Sequence, residues 1–97
     1  MAIDSTRLII SSSDIRQGKP RIAGTSITVH RIAIWYKLGY SAEEIVDQYS
    51  HLNLAQVYAA LAYYHSHQSI IDAEIAADEQ QEKRLEAEYL QTQKVPL

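Results

Sequence analysis

Over the first 28 positions the apolar residues come in short runs separated by turn-forming residues, and from Val29 onward they recur at three- and four-residue spacings. The first regime belongs to strands and the second to helices. Leu8-Ile9-Ile10 is a strand-like run closed by Ser11-Ser12-Ser13-Asp14. Gly18-Lys19-Pro20 punctuates again, and Pro20, which cannot donate to a ladder, belongs at a strand start or an edge. Arg21-Ile22-Ala23 and Ile27-Thr28-Val29 lie on either side of Gly24-Thr25-Ser26, so two or three short strands are expected before residue 28.

Ile32, Ala33, Trp35, Tyr36 and Leu38 then predict a helix over Val29–Leu38, with Thr28 as its N-cap and Gly39 at its C-terminal end. Ser41-Ala42-Glu43-Glu44 is a capping box, in which hydroxyl and carboxylate each satisfy the other residue's backbone N–H. It opens a short helix carrying Ile45, Val46 and Tyr49 that ends near Tyr49. Ser50-His51-Leu52 forms the next turn, and Asn53 caps the helix that begins at Leu54. Leu54, Val57, Tyr58, Leu61 and Tyr64 share one helical face, and no breaker interrupts the chain until Pro96. After His67 the stripe thins: Ile71, Ile75, Leu85 and Tyr89 keep helical spacing, but Asp78 and Glu82 stand between them.

The expected fold is mainly α. A three-helix, helix-turn-helix core of homeodomain-like or winged type is preceded by short N-terminal β-strands and followed by an extended C-terminal helix. Its segments run 1–28, 29–68 and 69–97 within one domain, and the expected core is Ile32, Trp35, Tyr36, Ile45, Val46, Leu52, Leu54, Val57 and Leu61. A helix with so broken a stripe as 69–97 buries little by itself. Ile71, Ile75, Leu85 and Tyr89 are therefore the candidate residues for docking on a partner chain.

Composition narrows the function. A chain of 97 residues with 46% hydrophobic residues fits one folded domain. At that size folding buries only about two-thirds of the exposed surface, so a covering partner would add stability. With no cysteine there is no disulfide framework, thiolate metal site or thiol nucleophile. The start, Met1-Ala2-Ile3-Asp4-Ser5, lacks the basic and long apolar regions of a signal peptide, and no charge-free apolar stretch reaches the length of a membrane span. A cytoplasmic protein with no membrane association is expected.

Charge is unevenly distributed. Residues 1–40 carry six Lys/Arg against two acids, a net +4, whereas residues 41–97 carry three against ten, a net −7. Such polarity suggests a basic end for an anionic partner and an acidic end for a cationic one.

No catalytic constellation assembles. Around Lys19 the phosphate-loop pattern fails, because Ser13 stands where its first glycine belongs and Pro20 where its Ser/Thr belongs. His65 and His67, two apart on a helix, point away from each other and cannot share a metal. The acids from Asp72 to Glu88 lie around one helix rather than converging from several elements. No catalytic residue, metal or cofactor is expected. For DNA, the second helix of the helix-turn-helix pair offers Asn53 and Gln56 near its start but no cation. Backbone contacts would have to come from Arg7, Arg16, Lys19, Arg21 and Arg31 in the N-terminal segment.

The run Gly18-Lys19-Pro20-Arg21-Ile22-Ala23-Gly24-Thr25-Ser26-Ile27-Thr28-Val29 resembles the signature of a bacterial family known as domain of unknown function 433. Trp35-Tyr36-Lys37-Leu38-Gly39, Glu43-Glu44-Ile45 and the stretch from Ala55 to Tyr64 agree with it. The resemblance implies VapB-type antitoxin-like proteins with a helix-turn-helix fold, usually homodimeric. They are often encoded beside a small nuclease-like toxin of the PIN type, and combine operator binding with toxin capture. Ser26 replaces the arginine usual after Gly-Thr, which removes a cation from this loop, and Ser50 replaces a usual proline. The leading expectation is thus a dimeric antitoxin that binds a nuclease-like toxin and, secondarily, DNA. A stand-alone DNA-binding regulator and an oligomerisation module are the alternatives. Exposed edges of the short N-terminal strands suggest dimerisation by strand pairing.

Overall fold

The computed structural model describes residues 7–93, with side chains through Gln91. Two short strands and four helices come in the order β1 (Ile9–Ile10), β2 (Arg21–Ile22), α1 (Val29–Lys37), α2 (Ala42–Asp47), α3 (Leu54–Ser66) and α4 (Gln68–Gln93). The strands pair antiparallel, Ile9 opposite Ile22 and Ile10 opposite Arg21. Of the third strand that Ile27-Thr28-Val29 suggests, only an isolated bridge between Arg21 and Thr28 forms. The Thr25 hydroxyl explains the tight return, donating to the Ile22 carbonyl at 2.8 Å and accepting from the Ile27 N–H at 3.0 Å.

Local chemistry sets the helix starts. The Thr28 hydroxyl accepts from the Arg31 N–H at 3.1 Å, and Ser41 with Glu44 closes the expected capping box. Asn53 and Gln56 close another at the head of α3. Gly39, at φ +100°, takes the left-handed step after α1 that a side chain would resist. The second helix ends at Asp47, slightly before the expected Tyr49.

Helices α1, α2 and α3 enclose the core, with β1 and β2 against α3. Ile22, Val29, Ile32, Ile45, Val57 and Tyr64 fill it. Three expectations need correction. Tyr36, Leu54 and Tyr58 are exposed rather than buried, because Ala33, Ala60 and Leu61 occupy the contact faces of their helices. Trp35 and Val46 pack on the edge of the core, only partly buried. The long helix expected from Leu54 onward is two helices, broken at His67 (φ −131°, ψ 31°).

That break turns α4 back onto the body. Ile71 and Ile75, 2% and 5% exposed, join the chain's own core. They are therefore not available to a partner chain, contrary to the expectation from the thinning stripe. Burying two isoleucines contributes about 3–6 kcal/mol, enough to seat the first two turns of α4. After Ile75 every described side chain through Gln91 is exposed. The last 15 residues of α4, Glu79 to Gln93, thus form an arm about 22 Å long at 1.5 Å per residue, and the molecule measures 67 × 29 × 25 Å.

Candidate interaction site

The cations expected to meet DNA have separate fates. Arg16 and Gln17, at φ 50° and 58°, precede Gly18 at φ 79°, so three consecutive residues take left-handed conformations. Non-glycine residues adopt that region at a cost. The turn is closed by N–H groups of Gly18 and Lys19 donating to the carbonyls of Ile15 and Arg16 at 3.0 and 3.1 Å. It sets Arg16 so that its Nε donates to the Ser26 carbonyl at 3.2 Å.

Arg21 is 6% exposed. Its Nε donates to the Thr25 carbonyl at 3.0 Å and its Nη1 to the Ser12 hydroxyl at 3.2 Å. This guanidinium holds the loop together from inside and is not a surface contact, which removes it from the candidate DNA set. Asn53 and Gln56 are likewise engaged: the Gln56 N–H donates to Asn53 Oδ1 at 2.9 Å, and the Asn53 N–H to Gln56 Oε1 at 2.8 Å. Their side-chain oxygens cap α3. Arg31, in the first turn of α1, is exposed.

Acids of α4 meet two lysines and a histidine of the body. Lys19 Nζ lies 2.7 Å from Asp78 Oδ2, Lys37 Nζ 3.1 Å from Asp72 Oδ1, and His30 Nε2 3.2 Å from Glu74 Oε1. The opposite charges of the two chain halves are thus partly spent inside the molecule. Solvent-accessible pairs such as those of Lys19 and Lys37 contribute about 0–1 kcal/mol each, so the isoleucines hold the helix and the ion pairs fix its rotation. His30 is buried, and its Nδ1 has no hydrogen-bond partner among the described residues.

A tighter polar contact stands at the start of α4, where the Tyr64 hydroxyl donates to Asp72 Oδ1 at 2.8 Å. Burial first, then this hydrogen bond and the carboxylate's charge, push the Tyr64 hydroxyl up to about 12. The Tyr64 hydrogen bond, followed by that of Lys37, lowers Asp72 below its ordinary value. None of the three contacts of Lys19, His30 and Lys37 is visible in the sequence, since their partners lie 35 to 59 residues apart. The available signal is the opposite charge of the two halves together with the Ile71/Ile75 spacing.

Beyond Asp78 the arm continues the same face. Ile71, Ile75, Asp78, Glu82, Leu85 and Tyr89 succeed one another at spacings of four and three, the heptad pattern of a helix that packs along another helix. Leu85, Tyr89 and Leu90 are 56%, 63% and 50% exposed. Between arm and body lies an open cleft of about 730 Å³. Arg16 and Arg31 line it from the body and Glu79, Glu82 and Leu85 from the arm, while Ile27, Ile34 and Ile75 supply apolar surface. Of the candidate partner residues, the structure therefore keeps Leu85 and Tyr89 accessible. Of the candidate DNA residues, it leaves Arg16 and Arg31 on one accessible wall.

No helix among the described residues is long and apolar enough to cross a membrane. No protein of curated function matches the chain. A crystal structure of a DUF433 member protein from Anabaena variabilis ATCC 29413 is similar, with a TM-score of 0.67 and 28% identity over 72% of this chain and 69% of that one. The family model described as "Protein of unknown function (DUF433)" matches residues 9–64, which span both strands, α1, α2 and α3 except its last two residues, and stop short of α4. The chain belongs to the DUF433 family.

Proposed function

We propose that this protein is a non-catalytic binding protein of the antitoxin type, which neutralises a nuclease-like toxin by docking the α4 arm on it. The observation that carries this reading is the arm. A 15-residue helix outside the body gains nothing from the core, and isolated helices of that length are marginal in water. Leu85 and Leu90 on it, both exposed, are the kind of apolar anchors that a partner groove receives. Glu79, Glu82 and Glu86 flank them and suit a toxin whose RNA-binding cleft is cationic.

In this reading α1 to α3 form a tri-helical, helix-turn-helix-like scaffold, and DNA binding is a secondary property. The stand-alone regulator is disfavoured by the engagement of Lys19, Arg21, Asn53 and Gln56 within the chain. Arg16 and Arg31 remain for phosphate contacts, fewer than the six to ten typical of a strongly salt-dependent binder.

Co-expression of the full chain with the product of the adjacent gene tests the proposal. The expected result is a complex that survives affinity and size-exclusion steps and relieves the growth arrest caused by that product alone. An adjacent product that is not nuclease-like, or that fails to co-purify, overturns it.

A further inference from the structure

The cleft between arm and body has two walls of opposite sign and an apolar floor. Arg16 and Arg31 stand on the body side, Glu79 and Glu82 on the arm side, and Ile27 and Ile34 between them. An occupant must be a slender element carrying acids, cations and apolar groups close together. The arm itself has that composition: Glu82 and Glu86 bracket Lys83 and Arg84, with Leu85 and Tyr89 on the heptad face. We propose that the cleft receives the α4 arm of a second copy of this chain, and that each copy's arm lies in the other's cleft about a two-fold axis. The inference shares the arm with the proposed function but does not depend on toxin capture.

Three features point to this occupant. The face that buries Ile71 and Ile75 against the body continues in register through Glu82, Leu85 and Tyr89, so the distal stripe is shaped for another helix. Symmetry is satisfied, because the surface offered and the surface received are on the same chain, as an isologous dimer requires. Charge then sets the direction. A parallel pair places Lys83 and Arg84 level with their own copies, whereas an antiparallel pair brings them against Glu86 of the second copy and turns acids toward Arg16 and Arg31. The two-residue strands β1 and β2 offer little edge for pairing, so the arm replaces the strand edge as the self-association surface.

Multi-angle light scattering on the full chain and a charge-swap pair test the proposal. The wild-type chain is expected at twice its 11.0 kDa mass. Arg16→Glu with Arg31→Glu reverses the cleft wall, and Glu82→Lys with Glu86→Lys reverses the arm. Like charges then face each other in each homodimer, so each variant alone is expected to dimerise at least about tenfold more weakly. Mixed, they are expected to associate more tightly than either variant alone, since both arms then meet clefts of opposite sign. Leu85→Glu with Tyr89→Glu is expected to give a monomer whose body still unfolds cooperatively, because both residues lie outside the core. A monomeric wild-type chain, or a dimer indifferent to both the charge reversals and the arm substitutions, overturns the proposal. A dimer that behaves as expected but ignores the toxin leaves this inference standing and removes the proposed function.

Discussion

Arg21 brings a positive charge into the strand pair, and the site tolerates it because the guanidinium meets the Thr25 carbonyl and the Ser12 hydroxyl. Arg21→Ala removes both contacts and is expected to cost about 2–3 kcal/mol in urea unfolding. Arg21→Lys recovers only part of this, since one ammonium cannot reproduce the fork. Tyr64 works differently, tying α3 to Asp72 of α4 through a buried ring and an accessible acceptor. Tyr64→Phe keeps the packing and is expected to cost about 1 kcal/mol.

The same pair contributes to the pH dependence of stability. Because the Tyr64 hydroxyl is raised to about 12, the folded state disfavours the phenolate, and its contribution is complete below the ordinary tyrosine value and lost as pH rises toward 12. Because Asp72 is lowered, its contribution is present above the ordinary carboxylate range and lost as pH falls below it. Unfolding measured by circular dichroism across pH should therefore show Tyr64→Phe losing part of the alkaline decline of the wild-type chain. In the sequence Arg21 and Arg31 are indistinguishable as cations; only the turn at Gly24-Thr25 folding over Arg21 separates them.

Helix beginnings are legible because each is written within four residues: Thr28, Ser41 with Glu44, and Asn53 with Gln56 act on backbone groups one turn away. The break at His67 is not, since neither glycine nor proline marks it. It is closed by the His67 N–H donating to the carbonyls of Tyr63 and Tyr64, and the seating of Ile71 and Ile75 on the core beyond it stabilises the turn. Periodicity also puts Leu54 and Tyr58 on the α3 core face, where the smaller Ala59 and Ala60 are buried instead. The division of α4 into a docked half and an arm has a direct consequence for stability. Ile71→Ala is expected to cost about 2–5 kcal/mol, and Leu85→Ala, at concentrations where the chain is monomeric, less than about 0.5 kcal/mol. Similar losses for both would show that the arm packs on its own body.

For the whole molecule, the charge asymmetry is plain in the sequence, but its destination is not. Two of the six cations of what resembles a DNA-facing basic end, Lys37 and Lys19, are matched inside the chain by Asp72 and Asp78, and His30 meets Glu74. Such pairings depend on the folded path of α4 and have no local signature. Across one cleft, Arg16 and Arg31 face an acidic, leucine-bearing arm. The most direct test of the arm as the partner-binding element is the affinity of the full chain for the adjacent gene's product, measured beside that of the Leu85→Glu, Tyr89→Glu variant. Loss of at least about 30-fold is expected, as for anchor residues worth about 2 kcal/mol, with the body of α1 to α3 still folded. Equal affinity for the two proteins, or no measurable binding by the wild-type chain, would contradict it.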